Sequence, residues 1–462
     1  MAAEELTVEL FQHGRWVELA TLTFNEPNSG IKGPCRMVYR FDHTITHYLE
    51  CADSAVSILL PVETYVETYV EQSMHWYRFL EDIMPAGSSR DFWVNRLGLQ
   101  DAPEPQRDFR LLQQGTIAPI GNLRIKESLN QGAENEMIAQ MRFPITDVTE
   151  RHSDFLEYAQ ARGAAAGGAS GAGGAAPKLL LRCNKDDQVW IDAYQNQIDN
   201  TDQHYLVKFA RGNTQRDADI LRAEFHFYHI LTTLKFDTID ISTMRLIESE
   251  RGPSLWLPRF DVAINNGQVE HRGLESVYSV LDKSSASFMY HSDVIRELIR
   301  VIGQNCDAST TSSFLDSHGT AWFVIEWVKR DLLNIIFGNS DNHGRNTSFL
   351  KHNDVISLAP VYDFAPMKAD MEGITRTFTW GSKQTAHGVM EVGGEYNFNA
   401  IAQSLADLVD PDILLNELRE LAGRLVNIET YLNERGVPKS IVEHSGIGYG
   451  ATANKLERWG LV

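Results

Sequence analysis

Residues 340–363, SDNHGRNTSFLKHNDVISLAPVYD, constrain this chain more than any other stretch. Asp341 is followed five positions later by Asn346, and a second aspartate, Asp363, closes the run. Upstream, residues 319–337 (GTAWFVIEWVKRDLLNIIF) set Trp322, Ile325, Val328, Leu332 and Ile335 at helical intervals, which predicts a mostly buried helix ending near Gly338. Downstream, 347–350 and 355–358 read as short strands around a polar Lys-His-Asn-Asp turn, a hairpin. A hairpin returns Asp363 to the end from which Asn346 departs. The chain must then present Asp341 in a loop held by a rigid helix while an amide and a carboxylate oxygen meet, a donor pair suited to a hard ion such as Mg²⁺.

An Asp-x-x-x-x-Asn loop followed by a later aspartate has the spacing of the phosphoryl-transfer site of protein kinases. Two other readings stay open from the loop alone. Asn, Asp, Gly and Ser also make ordinary turns, and Asp341 with His343 could form half of a metallohydrolase site, although no other His, Asp or Glu pair shows tight ligand spacing.

The composition, 462 residues with 43% apolar and 23% charged, is that of a globular chain long enough for two or three cores. Cys35, Cys51, Cys183 and Cys306 lie far apart without a CxxC pair, so reduced thiols are expected rather than a disulfide frame or a zinc site. No apolar run approaches a membrane span, and the acidic start MAAEELTVEL predicts no signal peptide, which points to the cytoplasm. A net charge of -20, from 62 acidic against 42 basic residues, repels a phosphate backbone. Direct DNA binding is therefore not expected, whereas a basic protein partner would be attracted.

Along the chain, residues 6–25 read as two strands around a turn at Gly14, 57–83 as partly helical, 75–99 as helix, Pro85/Gly87 break and helix, and 109–125 as short strands. Residues 163–177, GAAAGGASGAGGAAP, fit either a flexible linker or a phosphate-cradling loop. The second reading is favoured by the strands expected at 178–182, 189–192 and 204–209, the last carrying Lys208. A helix expected over 215–234 places Glu224 in the apolar row Ile220, Glu224, Phe227, Leu231. A carboxylate in such a row needs a partner, and Lys208 is the natural one; kinases clamp nucleotide phosphates with such a pair. Residues 399–436 have amphipathic helical periodicity and are expected to pack a helical lobe.

Taken in order, these segments resemble the HipA-type serine/threonine kinases, toxins of bacterial toxin-antitoxin systems. The resemblance rests on FLEDIMPAGSSRDFWVNRLGL, IGNLRI, SGAGGAAPKLLL, LVKF, LPRFD, GNSDNHGRNTSFL and APVYDF. It implies an α+β chain: an N-terminal α/β subdomain (1–150), then a kinase-like bilobal fold with a small lobe (151–260) and a mainly helical C-terminal lobe (261–462). It also implies ATP and Mg²⁺ as cofactors. Asp341 would be the catalytic base or orienter, supported by His343, with Asn346 and Asp363 on the metal. Lys208, clamped by Glu224, would hold the phosphates under a loop containing Ser170, Gly171 and Gly173. Backbone at Pro258, Arg259 and Phe260 would hold adenine, and Arg345, where the family often has lysine, would neutralise phosphoryl charge.

Ser170 would be the autophosphorylation site, in a loop one residue longer than the family's and with Ala175-Ala176-Pro177 replacing more polar residues. The implied partners are a protein substrate such as an aminoacyl-tRNA synthetase and a HipB-like helix-turn-helix antitoxin, with DNA reached only through that antitoxin and no membrane contact. The alternative is a non-catalytic regulatory module that binds a basic DNA-binding antitoxin. The intact Lys208, Asp341, Asn346 and Asp363 set favours the enzyme.

Overall fold

Alternating apolar residues in Glu4–Gln12 and Arg15–Phe24 turn Leu6, Val8, Leu10, Leu22 and Phe24 inward. His13 and Gly14, with φ of 52° and 75°, make the two-residue turn whose twist matches a hairpin. The computed structural model describes residues 3–63, 75–130, 140–161, 178–285, 287–306 and 319–462. Its first sheet is antiparallel, in the order Arg36–Tyr39, Arg15–Phe24, Glu4–Gln12, Leu123–Ile125. Helices Phe79–Ile83, Ser88–Arg96 and Glu104–Gly115 contribute buried side chains to the same core. The break between the first two helices falls at Pro85 to Gly87, where Gly87 takes φ 54°.

One expectation for this region is corrected. Phe109, Leu111 and Leu112 belong to the helix Glu104–Gly115 and not to strands, because they face one apolar side at helical spacing; only Leu123–Ile125 is strand. Within 57–83 the described helix is Phe79–Ile83.

The second sheet has six antiparallel strands, in the order Phe143–Pro144, Gln188–Trp190, Lys178–Cys183, Gln203–Phe209, Ser254–Pro258, Arg245–Ile247. Both faces of Gln203–Phe209 are covered. Tyr205, Val207 and Phe209 join the N-terminal core, while Leu206 joins a second core with helix Gln215–Thr233. This double burial explains the nearly continuous apolar run of the strand and leaves Lys208 only 4% exposed.

The large core is built around helix Gly319–Phe337 and helices His291–Asn305, Pro411–Leu425 and Ile428–Glu434. Val328, Leu332 and Ile335 of the expected stripe are buried, but Trp322 is 39% exposed and Phe323, Val324 and Trp327 turn inward in its place. Ser348–His352 and Val355–Leu358 form the expected hairpin, with Asn353 and Asp354 at φ 51° and 59° in its turn, and Gly273–Ser276 adds a third strand. Among the described residues no helix is long and apolar enough to cross a membrane.

The expectation of four reduced thiols is corrected as well. Cys35 and Cys183 are free and buried, but Cys51 and Cys306 form a disulfide with their Cα atoms 5.4 Å apart. They are 255 positions apart, and only the docking of the N-terminal segment beside the end of helix His291–Asn305 brings them together.

Candidate active site

The helix Gly319–Phe337 stops because Gly338 adopts φ 72°, and a Cβ there would sit 2.9 Å from the Ile447 side chain. The loop that follows is tied to itself. The Asn346 side-chain amide donates to the Asp341 carbonyl at 2.6 Å, which leaves Asn346 Oδ1 buried and without a hydrogen-bond partner among the described residues. The Arg345 backbone N–H donates to His343 Nδ1 at 3.2 Å, so the imidazole proton resides on Nε2, 3.5 Å from Asp341 Oδ1. Burial raises the Asp341 carboxyl above its usual range; the nearby His343 opposes this and the Asp363 charge reinforces it. Burial likewise pushes His343 down, keeping it neutral at pH 7. A carboxylate with raised proton affinity beside a neutral imidazole is suited to accept a proton from a hydroxyl.

Asp363 follows the hairpin with φ 51°, a left-handed conformation uncommon outside glycine and typical of functional positions. Its carboxylate makes a close ion pair with Lys208 and a second with Lys178 at 3.3 Å. Burial would raise its pKa, but the two lysines outweigh burial and hold it well below the carboxylate range. Burial disfavours the Lys208 charge too; Asp363 and Glu224 reverse that and keep it protonated. Glu224 Oε1 lies 2.6 Å from Lys208 Nζ and accepts from the Tyr228 hydroxyl at 2.8 Å, so the helix carboxylate and strand lysine meet as their spacing predicts.

Lys178, Lys208, Glu224, Asp341 and Asp363 line one cleft of about 70 Å³. On the other side of Lys208 and Asp363 lies an apolar slot of about 40 Å³ that includes Ile120, Leu206, Leu257, Pro258, Phe260 and Tyr362. Phe260 and Tyr362 face each other there, ring centres 5.3 Å apart. The Arg259 guanidinium is turned away onto Asp261, 3.0 and 2.5 Å from its two oxygens. Ser170, Gly171 and Gly173 lie outside the described residues.

One expectation about the loop fails. Arg345 does not line the phosphate side of the cleft: its guanidinium bonds Glu81 at 3.3 Å, on the helix Phe79–Ile83 of the N-terminal subdomain. Glu81 is buried and draws the arginine away. The sequence reading assigned no role to Lys178 or Ile120. Lys178 had a signal, a lysine opening the apolar strand KLLLRC after the glycine run. Ile120 opens IGNLRI, one of the segments behind the resemblance, and lines the slot where the next residue, Gly121, donates its N–H to Asp261 at 2.8 Å.

Residues 170–428 match the family model of the HipA-like C-terminal domain. A chain of the Shewanella oneidensis MR-1 toxin-antitoxin complex of HipA, HipB and its operator DNA is similar in fold, with a TM-score of 0.64 at 16% identity. That likeness covers 98% of this chain and 97% of the other. The proinflammatory kinase CtkA of Helicobacter pylori is more distant, at TM-score 0.33 and 13% identity over 60% of this chain and 88% of that one. No curated protein matches the chain by sequence.

Proposed function

Because the chain belongs to the HipA family, its HipA-like C-terminal domain filling residues 170–428, we propose that it is a toxin acting as an ATP- and Mg²⁺-dependent serine/threonine protein kinase. The observation that carries this reading is the convergence of Lys208, Glu224, Asp341 and Asp363 on one cleft beside an apolar slot. The slot is matched to adenine by its ring and aliphatic lining. In this reading Lys208 and Lys178, both now paired with Asp363, hold the nucleotide phosphates once those ion pairs separate.

Asn346 Oδ1, buried without a hydrogen-bond partner among the described residues, and the Asp363 carboxylate are hard oxygen donors that fit Mg²⁺. When bound, that ion neutralises charge on the phosphates. Asp341 orients the acceptor hydroxyl and takes its proton, with His343 holding the carboxylate from the Oδ1 side. The rest of the rate comes from position and charge compensation in a closed cleft.

The substrate we propose is a cytoplasmic translation component such as an aminoacyl-tRNA synthetase, and Ser170 is the proposed site of regulatory autophosphorylation. The net charge of -20 suits a basic, HipB-like DNA-binding antitoxin, through which the complex would reach DNA. The test is transfer of labelled γ-phosphate from Mg·ATP to the chain itself and to cytosolic proteins. Asp341→Ala is expected to lower it by about 10²- to 10⁴-fold, and Ser170→Ala to remove one phosphate from the intact mass. Persistent labelling in Asp341→Ala would overturn the site assignment. Absence of labelling by a chain that binds nucleotide would favour the non-catalytic antitoxin-binding module instead.

A further inference from the structure

The middle of the catalytic loop is fastened by a charged cluster that lies outside the cleft. Asp331, on helix Gly319–Phe337, is 2% exposed, and four side chains from three segments converge on its carboxylate. Arg376 Nη2 donates to Oδ1 at 2.6 Å, Asn342 Nδ2 to Oδ1 at 3.2 Å and Trp380 Nε1 to Oδ2 at 2.8 Å. His291 Nε2 lies 3.3 Å from Oδ1. Trp327 Nε1, which can only donate, bonds His291 Nδ1 at 2.9 Å, so the imidazole carries its proton on Nε2 and directs it at Asp331. The Arg376 charge, itself buried, is balanced by Asp331 and by Glu391 at 3.4 Å, and its other arm donates to the Tyr396 hydroxyl at 2.6 Å.

Asn342 sits between Asp341 and His343 and is 6% exposed. It is held at both ends: its side chain by Asp331, and its carbonyl by the Thr377 N–H and hydroxyl, each at 3.3 Å. Thr377 adjoins Arg376, so the same short segment beyond Asp363 grips both the buried carboxylate and the loop backbone. Asn342 offers the cleft nothing, since its donor is spent on Asp331 and it does not line the cavity around Asp341.

We propose that Asp331, with Arg376, is a positioning centre that sets the direction of Asp341 through the side chain of Asn342. The claim rests on the kinase reading for its effect on rate, but the anchoring itself does not. A buried carboxylate satisfied by four donors has one stable arrangement, and a loop bonded to it inherits that arrangement. Asn346 and the Arg345 N–H constrain the loop only internally, whereas Asp331 ties it to the helix core.

The gentlest test is Asn342→Ala, which cuts the link and leaves Asp331 with Arg376, His291 and Trp380. Two quantities are read on the full chain: hydrogen exchange of the 339–347 amides, and phosphate transfer alongside the dissociation constant of a non-hydrolysable Mg·ATP analogue. Loop exchange should accelerate about tenfold with helix 319–337 unchanged. The turnover number should fall about 100-fold, with analogue binding altered less than about twofold. Asn342→Gln, which keeps the amide, should recover part of both losses. Wild-type loop exchange in Asn342→Ala, or equal losses in turnover and analogue binding with no change in exchange, overturns the proposal. If the wild-type chain transfers no phosphate, the kinase reading fails, and loop exchange alone still decides whether the anchor exists.

Discussion

Two buried aspartates in this fold are driven in opposite directions by what surrounds them. Asp363 is kept ionised by Lys178 and Lys208. Asp82, on Phe79–Ile83, has its pKa pushed up to about 7 by burial, opposed by the Arg345 charge and by the Ser276 N–H at 2.8 Å. With its folded pKa above the unfolded value of 3.8, the folded chain binds more protons between these limits, and stability falls as pH rises from about 4 to about 7. The component is about 4 kcal/mol at roughly 1.4 kcal/mol per pH unit. Asp82→Asn keeps an acceptor for Ser276 and removes the titration. Urea melts at pH 5 and pH 8 should show the variant gaining on the wild type by a few kcal/mol at the higher pH; a difference independent of pH would remove Asp82 as the cause.

Helix Gln215–Thr233 carries Glu224 to Lys208, and its start is fixed locally. Thr214 Oγ1 accepts from the Asp217 N–H at 3.2 Å while Asp217 Oδ2 accepts from the Thr214 N–H at 3.0 Å, a reciprocal cap. Thr214→Ala should cost about 1 kcal/mol in denaturant melts and weaken nucleotide binding, because a frayed first turn loosens the clamp. An unchanged melting midpoint would show that packing alone sets the helix start. Periodic apolar rows and turn residues made this helix, the hairpin and the Gly338 stop readable from residues, whereas the cap came from the structure. The strand expectation over 109–125 failed across 109–115 because a short apolar run fits either period, and burial in the core beside Phe24 decided for the helix.

At the scale of the molecule the N-terminal segment is fastened to the large core by the Cys51–Cys306 disulfide, by Lys351 and Glu275 around Ser57 and Ala55, and by Glu81 on Arg345. A cross-link spanning 255 residues removes much freedom from the unfolded chain. Cys306→Ser should lower stability by about 2–5 kcal/mol, and reductant should bring the wild type to the same melting curve. Identical wild-type curves with and without reductant would show that the bond does not form in the protein in solution.

Residue order alone specifies most of the elements and where their acidic and basic side chains fall. Asp341, Asn346 and Asp363 are spaced by a helix stop and a hairpin, and Lys208 with Glu224 by strand and helix period; local backbone geometry sets all of these. Only the tertiary structure decided which distant groups meet. Arg345 reads as a phosphate-side cation until Glu81, 264 positions away, claims it. The cysteines read as separate thiols until two subdomains dock. Lys178 lines the cleft from its place in the six-stranded sheet, and Ile120 lines the slot beside the Gly121 contact with Asp261. Spacing encodes local geometry, whereas partners hundreds of residues apart are selected by burial and charge compensation that exist only once the cores have formed.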